Sequence, residues 1–494
     1  MTRARPPKIF FIVPNDSTLN VHGVLARHPH ELDVVLLVAP RYSLKGLPTE
    51  VSLYELEAAK EGQPPPGRRP PRGVSGEVLD ALAPSLYQTL LLIDRHNWTG
   101  ASLMACTRVI HRFVPVWLDL LEYHRPDFVL FHDSPHLPFS QLLFSLARLR
   151  GIPAAMVLDT AIEGRLIVRT SVEAQDLRVA RGADPVTIRP SRYITEVIPK
   201  QRQLTPMQKD LSLLRRVGLN KPGKLLRRLP RALTPHPDRF PSLVPDNPKA
   251  YLHRLLFNLS TARRIRSCLR LYSKHAVDGL PREPFVYYPL HFQPEATTLL
   301  LGRSLWEQVN NIHLLLDGLP ENWRLVVKEH PQMLRYAKSW PRARDLTFYR
   351  ELLSDPRIHL LPLHFSSQVA VRGSEIVATV SGTAGWEALQ AEKPVITFGY
   401  PWYRSLPGVL HARSRSEVSR MLSRAKAGEL AVDAAQVARA LDRRLEEGSL
   451  VPGTWRDSLA PTDASERERL ADEFGKSMLR LACMAADGTL RADS

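Results

Sequence analysis

A turn rich in small and hydroxyl-bearing residues follows an apolar run in the second half of the chain. The run Ile376–Val380 leads into Ser381-Gly-Thr-Ala-Gly-Trp-Glu387, and a helix is predicted to start near Ala384. The start of a helix presents free backbone N–H groups and the positive end of the helix dipole, to which the hydroxyls of Ser381 and Thr383 add donors. Such a turn can bind a phosphate, although it matches neither the Walker A pattern nor the dinucleotide-binding glycine pattern. The alternative is an ordinary capped helix that packs closely on the sheet.

A His-Pro pair ends a second apolar run. Arg324–Val327 continues into Lys328-Glu-His-Pro331. A residue that precedes proline is pushed out of the right-handed helical region, so His330 is expected to leave the strand end extended and to face a cleft. There its imidazole can donate to a phosphate oxygen or carry a proton to a leaving group, and Lys328 can add positive charge. The alternative is a histidine that only satisfies structural hydrogen bonds.

A third apolar run, Phe285–Tyr288, precedes Pro289-Leu-His-Phe-Gln-Pro-Glu295. Gln293 can hydrogen-bond a base or a sugar. Glu295 is a carboxylate that can act as a base, as a nucleophile or as an acceptor for a sugar hydroxyl. The alternative is a loop in which Glu295 or Thr297 caps the next helix.

The first third of the chain holds a related pattern. Phe131-His-Asp-Ser-Pro-His136 stands at the end of a predicted strand that starts near Phe128. If Asp133 faces a cleft, with His136 nearby, its carboxylate can activate an acceptor hydroxyl. Capping and loop hydrogen bonds explain the same residues equally well.

Short apolar runs that alternate with helical periodicity predict two α/β domains. Such alternation is typical of βα units around a parallel sheet, which binds ligands beyond the carboxyl ends of its strands. In the first part, strands are predicted at 8–13, 32–39, 128–132 and 154–158, and helices at 76–93, 102–123 and 139–150. The predicted layout is a first α/β domain over 1–171, a basic helical and irregular connector over 172–283, a second α/β domain over 284–428, and C-terminal helices over 429–494.

The composition bounds the class of protein. With 494 residues, 44% of them hydrophobic and 24% charged, the chain has the makeup of an ordinary globular protein of about two domains. The 67 Lys and Arg against 50 Asp and Glu give a net charge of +17, which suits nucleic acid, anionic lipid or a phosphorylated substrate. The three cysteines, Cys106, Cys268 and Cys483, have no CxxC spacing. Neither a disulfide framework nor a zinc site is therefore indicated, and a reducing cytosol fits.

Any contact with a membrane is expected to be peripheral, because no run approaches the ~20 apolar residues of a membrane-spanning helix. Basic residues interleaved with leucines cluster at 221–231 and 263–270 within the connector. A basic amphipathic face of this kind can lie on anionic lipid, and a basic helix over a domain cleft fits the same residues. The expected location is the cytoplasm, with peripheral contact at the inner face of the cytoplasmic membrane as one hypothesis.

Four segments together resemble the bacterial capsule polysaccharide biosynthesis family, which includes the Kdo transferases. The segments are Pro289–Thr298, Val327–Pro331, Ser381–Leu389 and Lys393–Gly399, with a weaker likeness at Phe131–His136. The resemblance implies two Rossmann-like domains in a GT-B-type arrangement and a CMP-activated sugar donor. It also implies that the histidine of the His-Pro pair, here His330, contacts the donor phosphate.

The sequence departs from that family at one point. The resemblance implies a Gln followed four positions later by an acid, whereas Thr297 stands four positions after Gln293 and the nearby acid is Glu295. The nucleophile, the stereochemical course and the sugar therefore stay open.

The segments as a set predict a metal-independent glycosyltransferase. It would move Kdo or a related acidic sugar from a CMP donor to a bacterial capsular or surface polysaccharide or glycolipid. Cleavage of the glycosyl–phosphate bond builds charge on the departing phosphate. His330, Lys328 and the helix start after Ser381 would face that charge in place of a divalent cation. No metal and no cofactor are expected, since the nucleotide sugar is a substrate.

The predicted site residues fall into three groups. Glu295 and His330 are the catalytic candidates; Gln293, Lys328, Pro331, Ser381, Gly382, Thr383 and Glu387 are the candidates for binding the nucleotide or donor; Asp133 and His136 are the candidates on the acceptor side.

Two further hypotheses use the same residues. A transferase of glycerol phosphate or ribitol phosphate from a CDP-linked donor also carries a His-Pro pair and releases CMP. A non-catalytic glycan-binding or nucleic-acid-binding protein would use the basic connector, but that connector lacks aromatic interleaving and a recognisable nucleic-acid module, so no specific nucleic acid is expected.

Overall fold

Apolar runs of a few residues form the strands of two separate sheets. The computed structural model describes residues 5–13, 31, 33–40, 51–95, 102–162, 164–177, 179, 264–330, 333, 344–443, 445–447 and 464–490. The chain divides into two units, of which the first comprises Met1–Asp94, Ser102–Val197 and Ala438–Ser494, and the second Arg95–Ala101 and Ile198–Val437. Of the predicted connector, residues 180–263 lie outside the described part, and with them most of the basic clusters.

The first unit is built on a mainly parallel sheet. Its strands are β1 (Lys8–Ile12), β2 (Asp33–Ala39), β3 (Leu53–Glu55), β4 (Phe128–Phe131), β5 (Ala154–Asp159), β6 (Arg165–Arg169) and β13 (Glu446–Glu447). The order across the sheet is β3-β2-β1-β4-β5-β6-β13. Strands β1 to β5 pair in parallel, whereas β6 and β13 join as antiparallel strands at one edge. The helices of this unit are α1 (Leu56–Glu61), α2 (Gly76–Arg95), α3 (Leu103–His124) and α4 (Pro138–Leu149).

The elements predicted in the first part of the chain are confirmed to within two residues at each end. Strands β1, β2, β4 and β5 and helices α2, α3 and α4 all occur where the apolar patterns indicate them. Strands β3, β6 and β13 were missed. They lie toward the sheet edges and are short or antiparallel, so the strand–helix alternation that reveals a parallel sheet does not extend to them.

The second unit contains a fully parallel sheet. Its strands are β7 (Phe285–Pro289), β8 (Arg324–Lys328), β9 (Ile358–Leu361), β10 (Ile376–Thr379), β11 (Val395–Thr397) and β12 (Val409–His411). All neighbouring strands pair in parallel, in the order β9-β8-β7-β10-β11-β12. The strands are buried on both faces, as expected for β-branched runs covered by helices on each side.

Helices surround this second sheet and follow its strands. They are α5 (Ala296–Leu301), α6 (Gln308–Gly318), α7 (Leu346–Leu352), α8 (Ser367–Gly373), α9 (Thr383–Gln390) and α10 (Arg415–Lys426), with a 3-10 turn at Arg303–Leu305 and helical residues at 264–275. The next helix, α11 (Ala434–Asp442), contains the point at which the second unit ends and the first resumes. Numbered from β7, the strand order is 3-2-1-4-5-6, which is the Rossmann order. The prediction of two Rossmann-like domains is confirmed.

The Rossmann order places a crevice at a fixed point of the second sheet. Strand order reverses where β7 is flanked by β8 on one side and by β10 on the other. Helices leave in opposite directions from this point, so ligands bind beyond the carboxyl ends of the strands there. The loops after β7, β8 and β10 are therefore the ones that can form a site.

A helix from the end of the described chain completes the core of the first unit. Helix α12 (Ala464–Ala486) buries Phe474, Met478 and Leu481 in one cluster with Phe11 and other strand residues of the first sheet. The ring of Phe474 meets His132 edge-on, with 5.4 Å between ring centroids. This helix is therefore part of the first domain's interior.

Removing the buried ring of this helix is expected to destabilise the protein strongly. Phe474→Ala should lower the free energy of unfolding by about 3–5 kcal/mol, because it loses apolar burial and leaves a cavity against the sheet. Urea unfolding followed by circular dichroism measures the change. Lys476→Ala, an exposed position on the same helix, should stay within about 0.5 kcal/mol of the wild type. Equal effects of the two substitutions would contradict the packing of α12 on this sheet.

Candidate functional site

Three strand ends come together at the reversal point of the second sheet. Pro289 at the end of β7 is in register with Lys328 at the end of β8, and the N–H of Leu290 donates to the carbonyl of Lys328. On the other side of β7, strand β10 ends at Thr379. The three polar segments singled out in the sequence therefore start from one edge of one sheet.

The imidazole of His291 ties the loop after β7 to the turn after β10. Its Nε2 lies 2.9 Å from Oγ1 of Thr379 and accepts a hydrogen bond of 3.2 Å from the N–H of Val380. The hydroxyl of Thr379 in turn accepts a hydrogen bond from the N–H of Gly382. A Cβ on Gly382 would lie 2.8 Å from Cε1 of His291, closer than side-chain atoms pack. The ring and the turn thus fit only with glycine at this position.

Two buried side chains hold the backbone of His291. The side-chain oxygen of Gln308, at the start of α6, accepts the N–H of His291 at 2.6 Å. The guanidinium of Arg344 donates to the carbonyl of His291 at 3.0 Å. The position of the imidazole is therefore set at both its backbone and its ring.

Arg344 is itself held by a buried carboxylate that also contacts the His-Pro segment. The Arg344 guanidinium pairs with Glu329 at 2.7 Å, and each side chain is 2% exposed. Tyr349 donates to the same carboxylate at 2.7 Å, and the N–H of His330 donates to it at 2.7 Å. Burial and the nearby Glu329 charge raise the pKa of the Tyr349 hydroxyl well above its usual value, so it stays a donor. One buried ion pair thus links the backbone at 291 with the backbone at 330.

The helix that begins the turn after β10 lacks a side-chain cap. Helix α9 has Gly382 at its N-cap position with no side-chain hydrogen bond to its first amides. Helices α6, α7, α8 and α10 have such bonds, from Glu307, Asp345, Ser366 and Ser414. Tyr403 supports the turn from behind by donating to the carbonyl of Gly382. The first amides of α9 are therefore available to an anion.

Gln293 has a buried side-chain amide without a hydrogen-bonding partner among the described residues. Its side chain is 3% exposed, and neither its amide nitrogen nor its amide oxygen has a hydrogen-bonding partner among the described residues. Buried amides are almost always paired in folded proteins, so an unpaired one points to a missing partner. Its backbone N–H meets the sulfur of Met333 at 3.2 Å.

Glu295 occupies the N-cap position of α5 but its side chain does not bond to that helix's amides. Instead the hydroxyl of Thr298 donates to the carboxylate at 2.7 Å. Burial raises the pKa of Glu295, partly offset by the Thr298 hydrogen bond and by the charge of Arg95. A carboxylate with a raised pKa suits proton transfer, and the predicted role stays a prediction.

The remaining predicted site residues of the second domain differ in their exposure to solvent. Lys328 and Glu387 are buried, His330 and Ser381 are half-buried, and Thr383 is exposed. The ring of His330 packs near Phe292 at 6.1 Å between centroids. Burial, and after it the electrostatic effect of His330, lowers the pKa of His291. Pro331 lies outside the described residues. Among the predicted site residues, Gly382 is the one held directly against the His291 ring.

In the first domain, the predicted pair lies at the end of β4. The Asp133 carboxylate accepts the N–H of Ser134 at 2.6 Å, and Nδ1 of His136 lies 3.7 Å from its other oxygen. His136 also contacts the carbonyl of Ser134 through Nδ1 at 2.8 Å. Asp133 is buried and His136 half-buried, and both take part in hydrogen bonds within the loop after β4.

Sequence reasoning missed four residues of this site: His291, Gln308, Glu329 and Arg344. His291 and Glu329 stand inside motifs that were singled out, and a polar residue directly after a buried run was the signal available for both. Gln308 and Arg344 carry no such signal, because they reach the site from other segments through tertiary packing.

In the part of the chain that the structure describes, every helix is too short or too polar to span a bilayer. Within the same residues, no three His, Cys, Asp or Glu side chains gather as they would to hold a metal ion.

The fold and the strand-end loops define a protein of two Rossmann-like domains. Within the second, residues 311–438 match the model of a family described as "Capsule polysaccharide biosynthesis protein". The match covers about a quarter of the chain and includes three of the four segments on which the sequence resemblance rests. It confirms that resemblance for this part of the chain.

Comparison with solved structures gives weak likenesses over much of the chain. The KpsC beta Kdo 2,7 transferase of Thermosulfurimonas dismutans is 14% identical, with 73% of this chain and 95% of that chain covered and a TM-score of 0.31. The calicheamicin glycosyltransferase CalG4 is 13% identical, with 97% and 100% covered and a TM-score of 0.23. The UDP-GlcNAc 2-epimerase of Methanocaldococcus jannaschii is 12% identical, with 93% and 98% covered and a TM-score of 0.22. At these values the likenesses carry no conclusion about activity. Among curated proteins, none matches.

Breaking the buried ion pair is expected to cost far more than breaking a surface pair. Arg344→Ala should lower the free energy of unfolding by about 3–5 kcal/mol, because Glu329 is left as an uncompensated buried charge. Arg415→Ala removes an exposed pair with Asp317 of 3.5 Å and should cost less than about 1 kcal/mol. Urea unfolding of both variants at pH 7.5 makes the comparison. Similar small losses would show that the Arg344 charge is not needed to balance Glu329.

The stability of the protein should fall in acid partly through His291. Burial, together with the charges of His330 and Arg344, lowers the pKa of this imidazole from 6.5 to about 3. The unfolded chain therefore binds a proton that the folded chain excludes, so the stabilisation is complete above pH 6.5 and is lost as pH falls. Between pH 6.5 and 5 the loss is on the order of 2 kcal/mol at 1.36 kcal/mol per unit.

The matched variant for this prediction is His291→Gln, which cannot take up that proton. Urea unfolding at pH 7.5, 6.5 and 5.0 should show a smaller loss in the variant than in the wild type. His124 and His411, whose pKa values are also lowered by burial, titrate in both proteins and cancel in the difference. Parallel pH profiles would contradict a neutral His291.

Proposed function

We propose that the protein is a glycosyltransferase that binds a nucleotide-activated sugar at the reversal point of its second sheet. The observation that carries the proposal is the set of hydrogen-bonding groups at this point that have no partner within the part of the chain that the structure describes. The amide of Gln293 is buried and unpaired among the described residues, and the start of α9 has no side-chain cap. Both follow strands that flank the reversal point, where Rossmann-like sheets take nucleotides.

The phosphate of the donor lies against the start of α9 in this proposal. The amides after Gly382 and the hydroxyls of Ser381 and Thr383 are donors, and the positive end of the helix dipole favours an anion. The family match over 311–438, together with the motif resemblance, supports a sugar transferase rather than another nucleotide-binding enzyme. A CMP-activated acidic sugar related to Kdo is the donor we propose, and a bacterial surface glycan is the acceptor.

The groups that contact the departing phosphate contribute most to catalysis in this proposal. When the glycosyl–phosphate bond breaks, the bonding electrons leave with the phosphate and its negative charge grows. Fixed donors aimed at this charge stabilise the transition state more than the ground state. His330, half-buried beside Phe292, is proposed to donate a hydrogen bond to the phosphate. Glu295, whose pKa is raised by burial, is proposed to act as the base or the nucleophile.

A ligand screen tests the proposal. Thermal unfolding is measured with CMP, CDP, UMP, UDP and GDP, and a ligand that binds only the folded protein raises the melting temperature. We expect the largest rise with CMP. Release of CMP from CMP-Kdo and from CDP-glycerol, each with a surface-glycan acceptor, then separates sugar transfer from polyol-phosphate transfer. No shift with any nucleotide would overturn the proposal.

A pair of histidine variants tests the role of His330. His330→Asn should lower turnover by about 100- to 1,000-fold, the usual cost of removing one donor aimed at charge that develops in the transition state. His313→Asn is the control, because His313 is a half-exposed surface histidine on α6 paired loosely with Glu351 at 3.7 Å. The control should keep wild-type turnover and stability. Full activity in His330→Asn would remove this residue from the mechanism.

A further inference from the structure

The two ring nitrogens of His291 have different surroundings. The N–H of Val380 points at Nε2 from 3.2 Å, and Oγ1 of Thr379 lies 2.9 Å from the same atom. A backbone N–H can only donate, so Nε2 must be the acceptor and carries no proton. The proton of the neutral ring is therefore on Nδ1, and the tautomer is fixed by the fold.

The Nδ1–H group opens onto the surface of the site. No described residue hydrogen-bonds to it, and it is not among the fully buried unpartnered atoms of the described chain. The residue as a whole keeps 8% of its surface exposed. The ring carbon Cε1, which is bonded to Nδ1, faces the N-cap residue of α9, because a Cβ on Gly382 would lie 2.8 Å from it. The free donor is therefore one bond away from a ring atom that packs against the start of α9.

The ring stays neutral because its surroundings oppose a second proton. Protonation at Nε2 would turn this atom from an acceptor into a donor that faces the N–H of Val380. The charged and titratable groups that act on the ring are His330, from the loop after β8, and Arg344, with Glu329 behind it. The turn at 379–383 offers hydroxyls and amides only.

We propose that Nδ1–H of His291 is a permanently neutral donor to a phosphate oxygen of the bound nucleotide. The inference rests on the proposed function and adds a residue to the same site. The neighbouring groups at the start of α9 are donors as well, so the ligand atom that they share must be an acceptor. A phosphate oxygen is the acceptor that a nucleotide places at such a helix start. The contact needs no protonation step, which makes it independent of pH across the working range.

Two substitutions at this position separate the ring's two functions. His291→Gln offers an oxygen to the N–H of Val380 in place of Nε2 but has no donor at the position of Nδ1. His291→Asn, which is shorter, brings a donor near the Nδ1 position and leaves the N–H of Val380 unpaired. Calorimetric titration with CMP and with cytidine, beside urea unfolding at pH 7.5, measures both properties.

The expected pattern is opposite for the two variants. His291→Gln should fold with near wild-type stability and bind CMP about 10- to 100-fold more weakly, the loss typical of one hydrogen bond to a charged group. His291→Asn should be the less stable of the two and keep more of the CMP affinity. The factor lost by His291→Gln should be the same at pH 5.5, 7 and 8.5, since the missing donor does not titrate.

Several results would overturn the inference. Wild-type affinity for CMP in a folded His291→Gln protein would assign the ring a structural role alone. An equal loss for cytidine would place the contact away from the phosphate. If the wild-type protein bound no nucleotide, the proposed function itself would be wrong. Failure of the inference about His291 and failure of the proposed function therefore give different results.

A spectroscopic measurement tests the tautomer without any ligand. In protein labelled with ¹⁵N at histidine, the His291 signals are those that vanish in His291→Gln. Long-range ¹⁵N–¹H correlations should show the proton on Nδ1 from pH 5.5 to 8.5, and CMP should shift the Nδ1 signal. A proton on Nε2, or titration within this range, would contradict the fixed donor.

Discussion

The second domain depends on one buried ion pair, between Arg344 and Glu329. Two charges removed from water cost several kcal/mol each unless they stay together and satisfy their remaining hydrogen-bonding groups. Here the remaining groups reach outward: the guanidinium to the carbonyl of His291, the carboxylate to the N–H of His330 and to Tyr349. An apolar pair of the same volume would fill the space equally well, but it would leave both backbone segments without a partner. The main effect of the ion pair is thus to fix the positions of the backbone segments at His291 and His330.

The strand-end edge at which we propose that an anion binds is built from neutral donors in a strongly basic chain. The net charge of +17 attracts anions over a distance and without selectivity. Close to the strand ends, backbone amides and the uncharged imidazole of His291 would set the orientation of a bound anion. Fixed dipoles of this kind need no reorganisation when charge develops on a ligand, which is how preorganised sites lower a barrier. Attraction and orientation are therefore supplied by different parts of the molecule.

The strands and their polar ends could be predicted from the sequence because both signals are local. An apolar run such as Ile376–Thr379, followed by small hydroxyl residues, fixes a buried strand and the turn that leaves it. The strand order across the sheet is not local, since periodicity reveals a strand but not its neighbours. The supports of the site follow from that order. Gln308 and Arg344 meet His291 only after folding, across 17 and 53 positions of the chain, so no spacing rule could have indicated them.

The prediction for His330 shows the same limit of reasoning from local sequence patterns. Its place before a proline predicted a position just beyond a strand end, and β8 does end two residues before it, at Lys328. The histidine locked against the Ser381 turn is nevertheless His291, at the end of the neighbouring strand. Two histidines at the ends of adjacent parallel strands look alike in sequence. Only the register between β7, β8 and β10 shows that the imidazole of His291 contacts the turn after β10.

Helix α12 has a consequence for the order in which the protein takes shape during synthesis. The sheet that begins at Lys8 covers part of its interior with residues 464–486. While these residues are still inside the ribosome, the second domain already has all of its strands, whereas the first still exposes apolar surface. The domain that is translated first is thus the last to be finished, and until then its uncovered face is what a chaperone would hold.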